Sequence, residues 1–97
     1  MNGDIELTTL RLTIEGSVQA VGYRNFTIGE ARLLGLDGWV RNRSNGNVEV
    51  LIHGENGAVE KFIAACARGP AGSQIKGISM EKAEPPEEKG FGRRPSI

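Results

Sequence analysis

A chain of 97 residues has room for one hydrophobic core and not for two, so a single domain spanning residues 1–97 is expected. Its 12 Lys and Arg balance 12 Asp and Glu, which excludes a bulk field for gathering nucleic acid or an anionic membrane and leaves any anion binding to a local site. The lone Cys66 excludes an intrachain disulfide, no apolar run reaches the roughly 18 residues of a membrane span, and no signal-peptide layout is present, so a cytoplasmic location is expected.

From Leu10 to Ile14 apolar residues alternate with Arg11 and Thr13, the period of a strand with one face on a core. From about Tyr23 the period becomes helical, with Tyr23, Thr27, Ala31 and Leu34 on one stripe and Phe26 beside them. Gly35 followed by Leu36 predicts a Schellman-type stop. A second strand is predicted over Gly38 to Arg43 and a third over Asn47 to His53, with Val48, Val50 and Ile52 on one face. Ser44, Asn45 and Gly46 lie between them, and Asn-Gly predicts a tight hairpin in which both residues take positive φ.

A second helix begins near Asn56 or Gly57, carries Val59, Phe62, Ile63 and Cys66 on one stripe, and ends before Gly69 and Pro70. A fourth strand follows from about Ile75 to Ala83, then a polar turn through Pro85 and Pro86, and a short last strand around Gly90 to Arg93. Residues 1–6 and the last three are expected to be loose ends. The order β-α-β-β-α-β with a short fifth strand is the split βαβ arrangement of a ferredoxin-like α+β sandwich, with two helices on one face of a mixed, largely antiparallel sheet. Right-handed crossovers make strands one and two parallel with the third between them, so their carboxyl ends share one edge, roughly 10 Å apart.

That edge carries the candidate chemistry. Gly16, Ser17, Val18, Gln19, Ala20, Val21, Gly22, Tyr23 and Arg24 join a strand to a helix N-terminus, where backbone N–H groups lack carbonyl partners and the dipole favours anions. Gly16 and Gly22 are expected to let successive amides point into one concavity. Arg24 puts a cation in the first turn of a helix, which is unfavourable without a nearby anion, and its planar guanidinium suits two phosphate oxygens. An arginine at a helix start also occurs without function, so the loop gains weight from Asn42 on the same edge, whose carboxamide can orient a water while touching a phosphate oxygen.

Other residues read as structural. Trp39 is expected to pack, His53 to be solvated or hydrogen-bonded without a metal-ligand partner, Cys66 to be buried and inert, and Arg93 and Arg94 to form a solvated tail. No Ser-His-Asp set and no carboxylate cluster for Mg²⁺ is apparent in the sequence.

The run Val18-Gln19-Ala20-Val21-Gly22-Tyr23-Arg24, followed by Leu34-Gly35-Leu36 and Gly38-Trp39-Val40-Arg41-Asn42, resembles the acylphosphatases. Asn45-Gly46, Val48-Glu49-Val50, Gly54, Gly69-Pro70 and Gly90-Phe91 fit the same pattern, so the resemblance covers about residues 8–94. It implies metal-independent hydrolysis of small acyl phosphates to a carboxylate and inorganic phosphate, with no cofactor. By matching positions it implies that Arg24 and the amides of residues 18–23 bind the phosphoryl group and that Asn42 positions the attacking water. The implied partner is a small-molecule acyl phosphate, with no nucleic acid and no membrane, and a monomer is expected.

Two positions depart from that pattern. Ala20 stands where the family usually has glycine and Ser17 where a larger, often basic, residue is common. If position 20 takes positive φ, alanine costs about 1–2 kcal/mol and weakens activity. A non-catalytic module that binds phosphate or carbamoyl phosphate is the alternative function. Single-stranded RNA binding shares the element order but lacks aromatic residues on strands one and three to stack bases.

Overall fold

The computed structural model describes residues 6–19 and 22–97. Seven elements follow in chain order: β1 (Leu7–Ser17), α1 (Tyr23–Leu33), β2 (Asp37–Asn42), β3 (Val48–Glu55), α2 (Asn56–Arg68), β4 (Gln74–Lys82) and β5 (Phe91–Arg93). The strands form one five-stranded sheet in the order β4-β1-β3-β2-β5. β3 lies antiparallel between β1 and β2, which makes those two parallel, and β5 pairs in parallel with β2. The expected ferredoxin-like α+β topology is therefore observed.

One face of the sheet carries Leu12, Ile14, Val40, Val48, Val50 and Ile52, all buried against the helices. Period two in the strands and period 3.6 in the helices converge there. α1 contributes Tyr23, Thr27 and Ala31, and α2 contributes Val59, Phe62, Ala65 and Cys66. Phe62 is fully enclosed, and truncating such a side chain to alanine costs about 3–5 kcal/mol. α1 ends as expected: Leu36 N–H donates to Ala31 at 2.9 Å and Gly35 N–H to Arg32 at 3.1 Å, the paired bonds of a Schellman stop.

Three expectations need correction. The hairpin loop is Ser44–Gly46 as expected, closed by Gly46 N–H donating to Arg43 O at 3.1 Å and Arg43 N–H to Asn47 O at 2.8 Å, but Asn45 does not take positive φ. Gly46 has φ 94°, whereas no described residue other than glycine has positive φ, so Asn45 instead uses its side chain, which accepts from Asn47 N–H at 3.0 Å. β1 runs past Ile14 to Ser17, with a register shift between Glu15 and Gly16 against β4. The last residues are tied down: Arg94 N–H donates to Val40 at 2.9 Å and Ile97 N–H to Asn42 at 3.2 Å, so the tail follows the outer edge of β2.

Candidate active site

The register places the site. Val48 faces Ile14 on one side and Asn42 on the other, so Asn42 is level with β1 two strand spacings, roughly 10 Å, away. The chain leaving β1 must bridge that gap to reach α1 above β2. Gln19 holds it there: its Nε2 donates to Arg43 O at 2.7 Å and to Asn47 O at 2.8 Å, strapping the loop to the β2–β3 hairpin. Gln19 was expected only as a loop member; the strap spans 24 to 28 residues and leaves no local pattern.

The remaining side chains of the loop are anchors. Val18 is buried in the core. Tyr23 is fully enclosed and its hydroxyl donates to Cys66 O at 2.7 Å, pinning the first turn of α1 to α2. Burial raises the Tyr23 phenol above its ordinary value, so it remains a donor. Cys66 is inert as expected, its thiol pushed up to about 12 chiefly by burial. Ala20 and Val21 lie outside the described residues, and so does the conformation that the Ala20 departure concerns.

With the side chains used as anchors, the backbone is what the loop offers. Gly22 is the N-cap of α1, at φ 75° and ψ 25°, and supplies no side-chain cap; the first turn also contains no acidic residue. The first helical N–H to bond backwards is that of Phe26, to Gly22 O at 3.0 Å, so the N–H groups of the first turn are left without helical partners. Gly16 serves a different purpose from the one expected. It lies in β1, and a Cβ there would come within 1.9 Å of Gln74 O, so it permits the close approach of β4 rather than shaping the concavity.

Arg24 follows directly, half-buried, and among the described residues it takes part in none of the ion pairs. Asn42 faces the helix side of β2, two positions on from buried Val40. Its Oδ1 is buried with no hydrogen-bond partner among the described residues. Such an orphaned acceptor costs about 1–3 kcal/mol, a cost that a folded chain rarely retains without a use for it. One edge thus holds uncapped amides, an arginine without a counter-charge and an acceptor without a donor.

The other residues noted in the sequence are spoken for. Trp39 packs on the opposite face, with the Arg41 and Arg94 guanidinium groups 4.7 and 5.0 Å from its ring centroid, so Arg94 is exposed as expected but also stacks on the sheet. Arg93 lies in β5 and donates to Asn25 Oδ1. His53 is hydrogen-bonded as expected, its Nδ1 2.6 Å from Thr9 Oγ1. Among the described residues no group of three or more His, Cys, Asp or Glu is placed to hold a metal ion, and no helix is long and apolar enough to cross a membrane.

Helix-start amides without a cap, an arginine outside the ion pairs and the buried Asn42 acceptor at the first βα junction of a ferredoxin-like sheet suit a phosphate-bearing ligand, and comparison with known proteins makes the class particular. Residues 10–92 match the acylphosphatase family. The chain is 42% identical to an acylphosphatase of Rhodospirillum rubrum, over 94% of this chain and 100% of that one. It superposes on the crystal structure of acylphosphatase from Bacillus subtilis with a TM-score of 0.84 at 34% identity, covering 92% of this chain and 99% of that one. It is also similar to full-length HypF in its phosphate- and nucleotide-bound form, with a TM-score of 0.88 at 30% identity, covering 99% of this chain but 13% of that one. The chain belongs to the acylphosphatase family. It is an enzyme that hydrolyses acyl phosphates.

Proposed function

We propose that Arg24 and the backbone amides of residues 18–23 bind the phosphoryl group, and that Asn42 positions the attacking water, in a reaction that needs no metal. The Asn42 Oδ1, buried without a partner among the described residues on the same edge as the uncapped start of α1, is the observation that carries this assignment. The water oxygen attacks phosphorus, the bond from phosphorus to the carboxyl oxygen breaks, and the carboxylate departs with that bonding pair. A carboxylate is a good leaving group, so no general acid is required, and the water's proton passes to phosphate. Catalysis then rests on positioning and on charge stabilisation, which the Arg24 guanidinium and the amides supply.

Purified protein should release phosphate from a small acyl phosphate at the same rate with and without a chelator, and Arg24→Gln should reduce that release towards the spontaneous rate. A wild-type rate no greater than the spontaneous one would overturn the assignment. The likeness to one part of HypF favours a second reading, a module that binds phosphate or carbamoyl phosphate without turnover. Calorimetry that detects binding while the assay detects no release would favour it. The protein is proposed to act as a single-domain monomer in the cytoplasm.

A further inference from the structure

A second cation stands beside the phosphate site. Arg93 pairs with Val40 in the parallel β5–β2 register, and Asn42 lies two residues further along β2, which puts the two Cα atoms roughly 8 Å apart. Phe91 is buried against the helices, so Arg93, two residues on, projects to that same side of the sheet, as Asn42 does. Its guanidinium reaches Asn25 Oδ1, in the first turn of α1 and adjacent in sequence to Arg24.

That contact is with a neutral amide. Among the described residues Arg93 takes part in none of the ion pairs, and it is exposed, so most of its five donors face outward. It also lines a groove of about 570 Å³ along β5, where Arg32, Lys89, Arg93 and Arg94 outnumber Asp37 and Glu88. Asp37 is partly committed, its Oδ1 accepting from Gly90 N–H at 2.7 Å. Arg93 is thus the point at which a cationic groove meets the first turn of α1.

Arg24 and the loop amides answer the charge of the phosphoryl group, and Arg93 adds a cation that hydrolysis itself does not call for. Resting on the phosphate site proposed above, we propose that Arg93 selects acyl phosphates whose acyl chain ends in a second anion, the mono-phosphate anhydrides of dicarboxylic acids. The distal carboxylate takes the outward donors of Arg93 while the phosphoryl group sits at Arg24. Asn25 is a positioning residue that holds the guanidinium in place.

The test compares succinyl phosphate with butyryl phosphate, which lacks the distal charge. An exposed charge pair is worth up to about 1 kcal/mol, so Arg93→Gln should lower kcat/KM for succinyl phosphate about fivefold, mainly through KM, and leave butyryl phosphate unchanged. Arg93→Glu should widen the gap, Arg93→Lys should restore most of it, and salt should narrow it in the wild type. Equal losses on both substrates, or no loss on either, overturn the proposal while leaving the phosphate site intact. Absence of wild-type turnover on both substrates overturns the phosphate site and the selectivity together.

Discussion

Three consecutive residues, Arg41 and Asn42 of β2 and Arg43 just beyond it, separate two regions built on opposite principles. Arg41 and Arg43 lie on the face away from the helices, where Arg41 Nε approaches Glu49 Oε1 at 2.7 Å and Arg43 Nη1 approaches it at 3.1 Å. Arg11 adds its Nε at 3.3 Å from Glu49 Oε2, so cations from β1 and from the end of β2 close around one buried carboxylate. Asn42, between them, faces the other side with an oxygen that is unpaired among the described residues. A polar cluster in which each cation has a carboxylate beside it, although Arg11 Nε makes no hydrogen bond, holds strands together. A polar cluster left incomplete, although Val18, Gln19 and Tyr23 fix its surroundings, is directed at something outside the chain.

The sharpest way to break this comparison is to remove one member of the incomplete side. Arg24→Gln should lower kcat/KM about a thousandfold or more, the range seen when an arginine that stabilises phosphoryl-transfer charge is lost. The same change removes a cation from a helix N-terminus, so the thermal midpoint should hold or rise, by the equivalent of about 0.3–1 kcal/mol. A fall in stability together with activity would make Arg24 a structural residue. Asn42→Ala comes next, with a loss of about a hundredfold in kcat/KM from a misplaced water. Because it deletes an orphaned acceptor, urea unfolding should show stability maintained or increased.

The complete side predicts the reverse. Glu49→Gln leaves Arg41 and Arg43 without a carboxylate and Arg11 with Glu81 alone, and should cost about 1–2 kcal/mol in urea unfolding, less than a fully buried pair because Arg11 and Arg43 keep 42% and 40% of their side chains exposed. Turnover of an acyl phosphate should be unaffected once the protein is folded. A variant that unfolds no more easily but turns over slowly would move Glu49 into the active site.

Much of this division was legible beforehand. Alternation in β1 and β3 and the 3.6-residue stripes of α1 and α2 set the element order, and the crossover rule then put Asn42 on the same edge as the loop. Glu49 was not legible, since a glutamate between Val48 and Val50 reads as a solvent position. Only the register, which sets Arg41 beside it on β2 and Arg11 two residues from its partner Thr13 on β1, buries it. The contacts of the exposed tail are not legible for a related reason: Arg93 and Arg94 gain them by pairing β5 with a strand about 50 residues earlier, and no local period announces such a partner. Gly16 satisfied the composition of a phosphate loop while serving the β1–β4 contact, because glycine marks close approach and free turning alike.

The smallest effect separates the two regions by pH. Burial alone would push the Glu49 carboxyl up, but hydrogen bonds and charge from Arg41 and Arg43 hold it below its ordinary value. A carboxyl depressed in the folded state contributes stability that is fully present above its unfolded pKa, about 4.3, and lost as pH falls through the folded value. The stability gap between wild type and Glu49→Gln should therefore be flat from pH 7 to about pH 5 and narrow below about pH 4. The gap between wild type and Asn42→Ala should show no such narrowing, because a carboxamide does not titrate. Urea midpoints of the three proteins measured across that range decide it: a Glu49 gap that stays constant in acid would mean that the arginines hold the β1–β3–β2 face without needing its charge.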